Sequence, residues 1–168
     1  MSKMILYKGD KFFSDFEKYF RDKDIIVKAL SGNNVEEGSI ICLEDSNPEM
    51  FSLRPKDFTI VNLHYSLLPA FCEGNSLQKA FTSGVKVSGI TIHRVEENNF
   101  YGRILAQYPV LIGTSTHFDE YSSEIFEISK KLYPKVAEAV INDTVFDFED
   151  ILKGKCAAGC SSCKGCSH

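Results

Sequence analysis

Two stretches of this sequence combine residue types that can do chemistry. The first is Asn62-Leu63-His64, at the end of the apolar run Phe58-Thr59-Ile60-Val61. Residues two apart on a strand project to the same face, so one pocket can hold both the Asn62 amide and the His64 imidazole. An amide N–H can stabilise an oxygen that gains negative charge. An imidazole, with a pKa of ~6.5 near working pH, can move a proton. The same pair also suits a bland role, with Asn62 capping a strand end and His64 buried and satisfied; a lone Asn-x-His does not decide between the two. The second stretch is Cys156-x3-Cys160-x2-Cys163-x2-Cys166, four thiols within eleven residues, with His168 just beyond. The glycines and serines between them let the backbone fold tightly around one ion or cluster. Four thiolates match tetrahedral zinc or an iron–sulfur cluster. The dense spacing suits a cluster better than a structural zinc site, whose two pairs usually stand further apart. The opposing reading is a reduced tail that binds metal only adventitiously.

The elements that must position Asn62 and His64 follow from hydrophobic periodicity. Ile5–Tyr7 predicts a strand. From Asp10 to Asp22 the residues Phe12, Phe13, Phe16, Tyr19 and Phe20 share one helical face, with Asp10, or Ser14 with Glu17, as the cap. Ile25–Leu30, Ile40–Leu43 and Phe58–Leu63 read as strands, and a short helix or turn is expected over Glu49–Leu53. Ser76–Ser83 reads as a helix closed by Gly84. Lys86–Val95 and Gly102–Ile112 read as an antiparallel hairpin through Glu96-Glu97-Asn98-Asn99. A long helix starts near Asp119 and carries Tyr121, Ile125, Ile128, Leu132, Val136 and Val140 on one face, with Pro134 inside it. Strands alternating with helices imply an α/β fold with a largely parallel sheet, in which ligands bind beyond the carboxyl ends of the strands. His64 sits at such an end. Cys42 reads as core, Cys72 as a space-filling residue of the loop after Pro69, and His93 and His117 as structural or surface residues.

The chain has 168 residues, enough for one domain with its own core, and its formal net charge is −4. That balance argues against a nucleic-acid surface, which needs a basic face. No run approaches the ~18 apolar residues of a membrane span. Met1 to Lys8 turns charged again before a signal-peptide core could form, so a cytoplasmic location and reduced cysteines are expected. From Lys153 to His168 there is no large apolar residue, which divides the chain into a domain at 1–152 and a tail at 153–168. The oligomeric state has no signature here.

The segment Val61-Asn62-Leu63-His64-Tyr65-Ser66-Leu67-Leu68-Pro69 resembles the active-site signature of the folate-dependent formyltransferases, the family of the glycinamide ribonucleotide and methionyl-tRNA enzymes. The likeness continues through Ala70-Phe71, the Gly74 loop and Gly84-Val85-Lys86-Val87-Ser88-Gly89-Ile90-Thr91-Ile92-His93. It then runs through Gly102-Arg103-Ile104-Leu105-Ala106-Gln107 and Leu132-Tyr133-Pro134. The resemblance implies a formyltransferase-like, Rossmann-like sheet with flanking helices and a shortened N-terminal half. It implies Asn62 and His64 as catalytic residues, with Ser66, Leu67, Leu68, Pro69, Gly74 and Phe100 around the substrate or folate. It implies 10-formyltetrahydrofolate as formyl donor and a small amine as acceptor.

The family also carries a catalytic Asp two positions before the Gly that opens the strand after the hairpin. Counting back from Gly102 puts Phe100 there, and a phenyl ring can neither orient a histidine nor take a proton. Glu96 and Glu97 would need a rearranged loop to substitute. In place of the glycine-rich phosphate loop of the purine enzymes stands Tyr7-Lys8-Gly9-Asp10, which makes glycinamide ribonucleotide a poor acceptor. Leu43-Glu44-Asp45-Ser46-Asn47-Pro48 replaces the apolar loop that walls the pterin. The chain is therefore expected to be either a formyl transferase or a catalytically degenerate binding or regulatory module with a metal- or redox-sensing tail. The tail can be tested alone. Protein purified without oxygen should carry one metal centre on Cys156, Cys160, Cys163 and Cys166, iron with acid-labile sulfide marking a cluster and zinc alone a structural site. Occupancy should fall as pH is lowered, because thiolate ligation displaces protons, and truncation after Leu152 should leave the thermal unfolding of the domain unchanged.

Overall fold

The computed structural model describes residues 3–32, 35, 37–45, 58–97 and 99–148. The expected short helix over Glu49–Leu53, the boundary at 152 and the four tail cysteines lie outside the described residues. Six strands form one sheet: β1 (Lys3–Lys8), β2 (Ile25–Ala29), β3 (Ser39–Glu44), β4 (Thr59–His64), β5 (Val87–Val95) and β6 (Ile104–Leu111). Their spatial order is β2-β1-β3-β4-β5-β6. The pairs β1·β2, β1·β3 and β3·β4 are parallel, while β4·β5 and β5·β6 are antiparallel. This is the mostly parallel α/β sheet that the alternating pattern implied. The antiparallel edge is the expected hairpin, closed where Glu96 and Asn99 exchange backbone hydrogen bonds of 3.1 and 3.2 Å.

Three helices are described: α1 (Phe13–Phe20), α2 (Ser76–Thr82) and α3 (Phe118–Ile141). Their apolar residues belong to one core on one face of the sheet. There Ile5, Tyr7, Cys42, Val61, Leu63, Ile90 and Ile92 pack with Phe16, Phe20, Ile125, Tyr133 and Val136. Tyr7 and Tyr133 flank Phe16, with ring centroids 4.7 and 5.0 Å from it. A second, smaller core of Met4, Leu6, Ile41, Leu43, Ile60 and Val95 lies on the opposite face, with Phe58 and Phe100 packed against it. Strand β3 is thus apolar on both faces, which is why Ile40–Leu43 reads as a continuous run rather than an alternation.

Helix α1 begins three residues later than the sequence suggests. Its N-cap position is Phe12, with no side-chain cap. Gly9, at φ +152°, turns the chain, and ahead of the helix the Lys11 N–H donates to Glu44 Oε2 at 3.1 Å. Helix α3 runs through Pro134 as expected, and Tyr133 ties it to the sheet: its hydroxyl lies 2.8 Å from Leu43 O and 3.0 Å from Val61 O, on the two strands that end at the candidate site.

The loop after β4 is held by β5 and β6. Thr91 Oγ1 donates to Ser66 O at 2.7 Å and accepts from Leu68 N and Gln107 Nε2 at 3.0 Å each, which uses its donor and both acceptor sites. Gln107 Nε2 also donates to Leu68 O at 3.1 Å. Ser66 Oγ closes the turn on Ala70 O at 2.6 Å. Gly89 lets this loop and strand β6 approach together. A Cβ there would sit 2.0 Å from Tyr108 O and 3.0 Å from Leu67 Cδ2, on a residue at φ +154°. Gly89→Ala should therefore lower the unfolding free energy by ~2 kcal/mol or more, measured by urea denaturation, whereas Gly32→Ala, with open space around it, should cost less.

Candidate active site at the carboxyl end of β4

Along β4, Val61, Leu63 and Tyr65 face the helices, so Ile60, Asn62 and His64 must face the other way. Asn62 is fully buried and His64 is 2% exposed. The expected juxtaposition is met on one face of the strand. The antiparallel register sets His93 opposite Asn62 and Thr91 opposite His64. Asn62 Nδ2 lies 3.1 Å from His93 Nε2. An amide nitrogen only donates, so His93 accepts through Nε2 and carries its proton on Nδ1, which faces Arg94 O at 3.4 Å. His93 thus fixes the orientation of the Asn62 amide. The sequence alone gives this histidine only a structural or surface role.

His64 meets an acceptor at each ring nitrogen. Nε2 donates to Phe71 O at 3.1 Å, and Nδ1 lies 3.6 Å from Asp45 Oδ1. A neutral ring can donate to only one of these, while an imidazolium satisfies both. Asp45 was not singled out from sequence as a partner of this histidine. The available signal was register: Leu43 pairs with Asn62 and Glu44 with Leu63, so one further step brings Asp45 beside His64.

The other expected residues divide into two groups. Ser66, Leu67, Leu68 and Pro69 form the loop that leaves His64, with Ser66 and Leu68 buried and a cis peptide before Pro69. Phe100 is close, its ring 6.1 Å from that of His93 and 5.2 Å from that of Tyr101. Tyr101 joins it, with its ring 5.5 Å from both His64 and His93 and its hydroxyl donating to Cys72 O. Gly74 lies apart, exposed in the turn leading into α2, and the thiol-bearing Cys72 is exposed rather than space-filling. Cys42 is core as expected, its thiol pushed up to about 12 by burial. His117 stands at the N-terminus of α3, its N–H donating to Glu120 Oε2 at 3.2 Å. Glu97 is exposed and Glu96 packs against Gly102, so neither glutamate is brought to His64.

Burial pushes His93 down to about 4 from an ordinary 6.5; the Arg94 carbonyl opposes that and the neighbouring His64 adds to it. A neutral acceptor at this position agrees with the hydrogen bond from Asn62. The consequence for stability has a definite sign. Below pH 6.5 the unfolded chain takes up a proton that the folded chain refuses, so stability falls as pH drops towards 4, by ~3 kcal/mol at most. His93→Gln should remove that part of the pH dependence between 6.5 and 4, read from urea unfolding at stepped pH.

Comparison with known proteins bears on what this arrangement is. A family model described as "Formyl transferase" matches residues 51–137. The phosphoribosylglycinamide formyltransferase of Bacillus subtilis (strain 168) is 38% identical over 82 residues, which are 49% of this chain and 42% of that protein. The methionyl-tRNA formyltransferase of Thermotoga neapolitana is 31% identical over 84 residues, 50% of this chain and 27% of that protein. The chain thus spans less than half the length of these relatives. In fold it is similar to glycinamide ribonucleotide transformylase 1 from Geobacillus kaustophilus, with a TM-score of 0.63 at 19% identity over 84% of this chain and 99% of that one. The family match covers more than half of the 168 residues and runs through Asn62, His64 and the loop that Thr91 and Gln107 hold, and this chain belongs to the formyl transferase family.

Proposed function

We propose that the chain transfers a formyl group from 10-formyltetrahydrofolate to a small amine. The observation that carries this reading is the placement of the Asn62 amide and the His64 imidazole on one face at the carboxyl end of β4, next to an ordered loop. The donor supplies an electrophilic formyl carbon. The amine nitrogen bonds to that carbon and the bond from carbon to the folate nitrogen breaks. Asn62, oriented by His93, stabilises the formyl oxygen as it becomes negative. His64 takes the proton released by the amine and returns it to the departing folate nitrogen. The loop Ser66-Leu67-Leu68-Pro69 walls the site and holds water away from it.

The acceptor we infer carries no phosphate. In the turn between β1 and α1, where an anion would meet backbone N–H groups, the chain places its own carboxylate. Glu44 accepts from Lys11 N at 3.1 Å, Tyr7 Oη at 3.0 Å and Tyr65 Oη at 3.4 Å. A phosphate there would face like charge.

A second reading, a binding module without turnover, draws on Phe100 and the aromatic packing it makes with His93 and Tyr101. The tail of Cys156, Cys160, Cys163 and Cys166, holding zinc or an iron–sulfur cluster, would be its sensor. Consumption of 10-formyltetrahydrofolate with a panel of unphosphorylated amines, alongside calorimetric binding of the folate, separates the two readings. For the enzyme, His64→Ala should abolish turnover, Asn62→Ala should lower it ~10²- to 10³-fold, and Phe100→Asp should preserve or raise it. Folate binding without turnover supports the module, and turnover that survives His64→Ala places the chemistry elsewhere.

A further inference from the structure

From the described part of the β5–β6 connection, the Tyr101 ring meets His64, with centroids 5.5 Å apart, and no ion pair reaches the histidine from that side. On the other side of β4 the parallel ladder delivers a carboxylate. Asp45 N–H donates to Leu63 O at 2.8 Å, which continues the β3·β4 pairing past the last residue of β3 and seats Asp45 beside His64. The residue adopts φ +43°, a left-handed conformation that a short polar residue such as Asp tolerates. Its Oδ1 lies 3.6 Å from His64 Nδ1 and 3.4 Å from the hydroxyl of the fully buried Ser76, which donates to it. Backbone and side chain are both held, from two elements.

We propose that Asp45 is the positioning residue of this site, holding His64 through Nδ1 from the β3 side in place of a carboxylate at position 100. This rests on the formyl-transfer reading for its catalytic consequence, though not for the contact itself. With Nδ1 directed at a carboxylate, the imidazolium formed during proton transfer is stabilised and the ring is kept from rotating. Nε2 is then the nitrogen left to exchange a proton, and it must leave its present acceptor, the Phe71 carbonyl at 3.1 Å, to do so. Glu44, the next carboxylate along the chain, is engaged by Tyr7 and Tyr65, side chains of the helix-side core, and does not compete for this role.

The test uses the full chain and Asp45→Asn, which keeps shape and removes charge. Turnover of 10-formyltetrahydrofolate should lose about 10²-fold in kcat, with KM for the folate within about twofold if the residue acts through His64 rather than on substrate. Nitrogen-15 resonances of the His64 ring should move to a different tautomer population while those of His93 stay. Adding Phe100→Asp to Asp45→Asn should recover at least about tenfold in kcat, a rescue from the opposite side that a merely structural residue would not permit. Asp45→Ser, smaller and uncharged, should behave like Asp45→Asn and serves where the amide disturbs folding. Unchanged His64 resonances in both variants overturn the proposal. Absence of turnover in the unmodified chain overturns the formyl-transfer reading alone, because the ring resonances still report whether Asp45 holds His64.

Discussion

Strand β4 pairs with β3 in parallel and with β5 antiparallel, and the geometry of the site depends on those two registers. The parallel side brings the end of β3, and with it Asp45, level with His64; the antiparallel side brings His93 level with Asn62. A shift of one residue on either side would turn every side chain of the slipped strand to the opposite face and dissolve the cluster. The register itself is enforced by apolar burial on both faces of β3 and on the helix-covered face of β4. It is reinforced by the Tyr133 hydroxyl, which reaches backbone carbonyls of both strands from α3.

Buried polar groups around this strand are matched by donor and acceptor type. Thr91 spends its full hydrogen-bonding capacity on the loop and on Gln107. His93 is kept neutral by burial and so serves Asn62 as an acceptor, which a protonated ring could not do. His64 has an acceptor beside each nitrogen, Phe71 O at Nε2 and Asp45 Oδ1 at Nδ1. Two histidines on neighbouring strands thus have opposite electrostatic settings, one beside an amide donor and one beside a carboxylate.

Two kinds of group border the site. Aromatic rings of Phe100 and Tyr101 stand on the hairpin side, and carboxylates stand on the β3 side, where Glu44 faces the helix-covered core and Asp45 faces His64. Successive residues of a strand point to opposite faces, so one dipeptide supplies two sites. Three donors, Lys11 N, Tyr7 Oη and Tyr65 Oη, converge on Glu44 in the β1–α1 turn.

Much of this was legible in the linear chain. The strand and helix order, the hairpin, the passage of α3 through Pro134 and the shared face of Asn62 and His64 all follow from periodicities that depend on near neighbours. The motif Ser66-Leu67-Leu68-Pro69 with Gly89, Thr91 and Gln107 was visible as a likeness, and its reason is now a set of contacts across three strands. What only the tertiary structure decided were partnerships across large sequence separations. Asp45 meets His64, His93 meets Asn62, and Glu44 takes the Lys11 N–H. Each of these depends on strand order and register, which arise when the whole sheet closes on its core and which no local pattern of residues encodes.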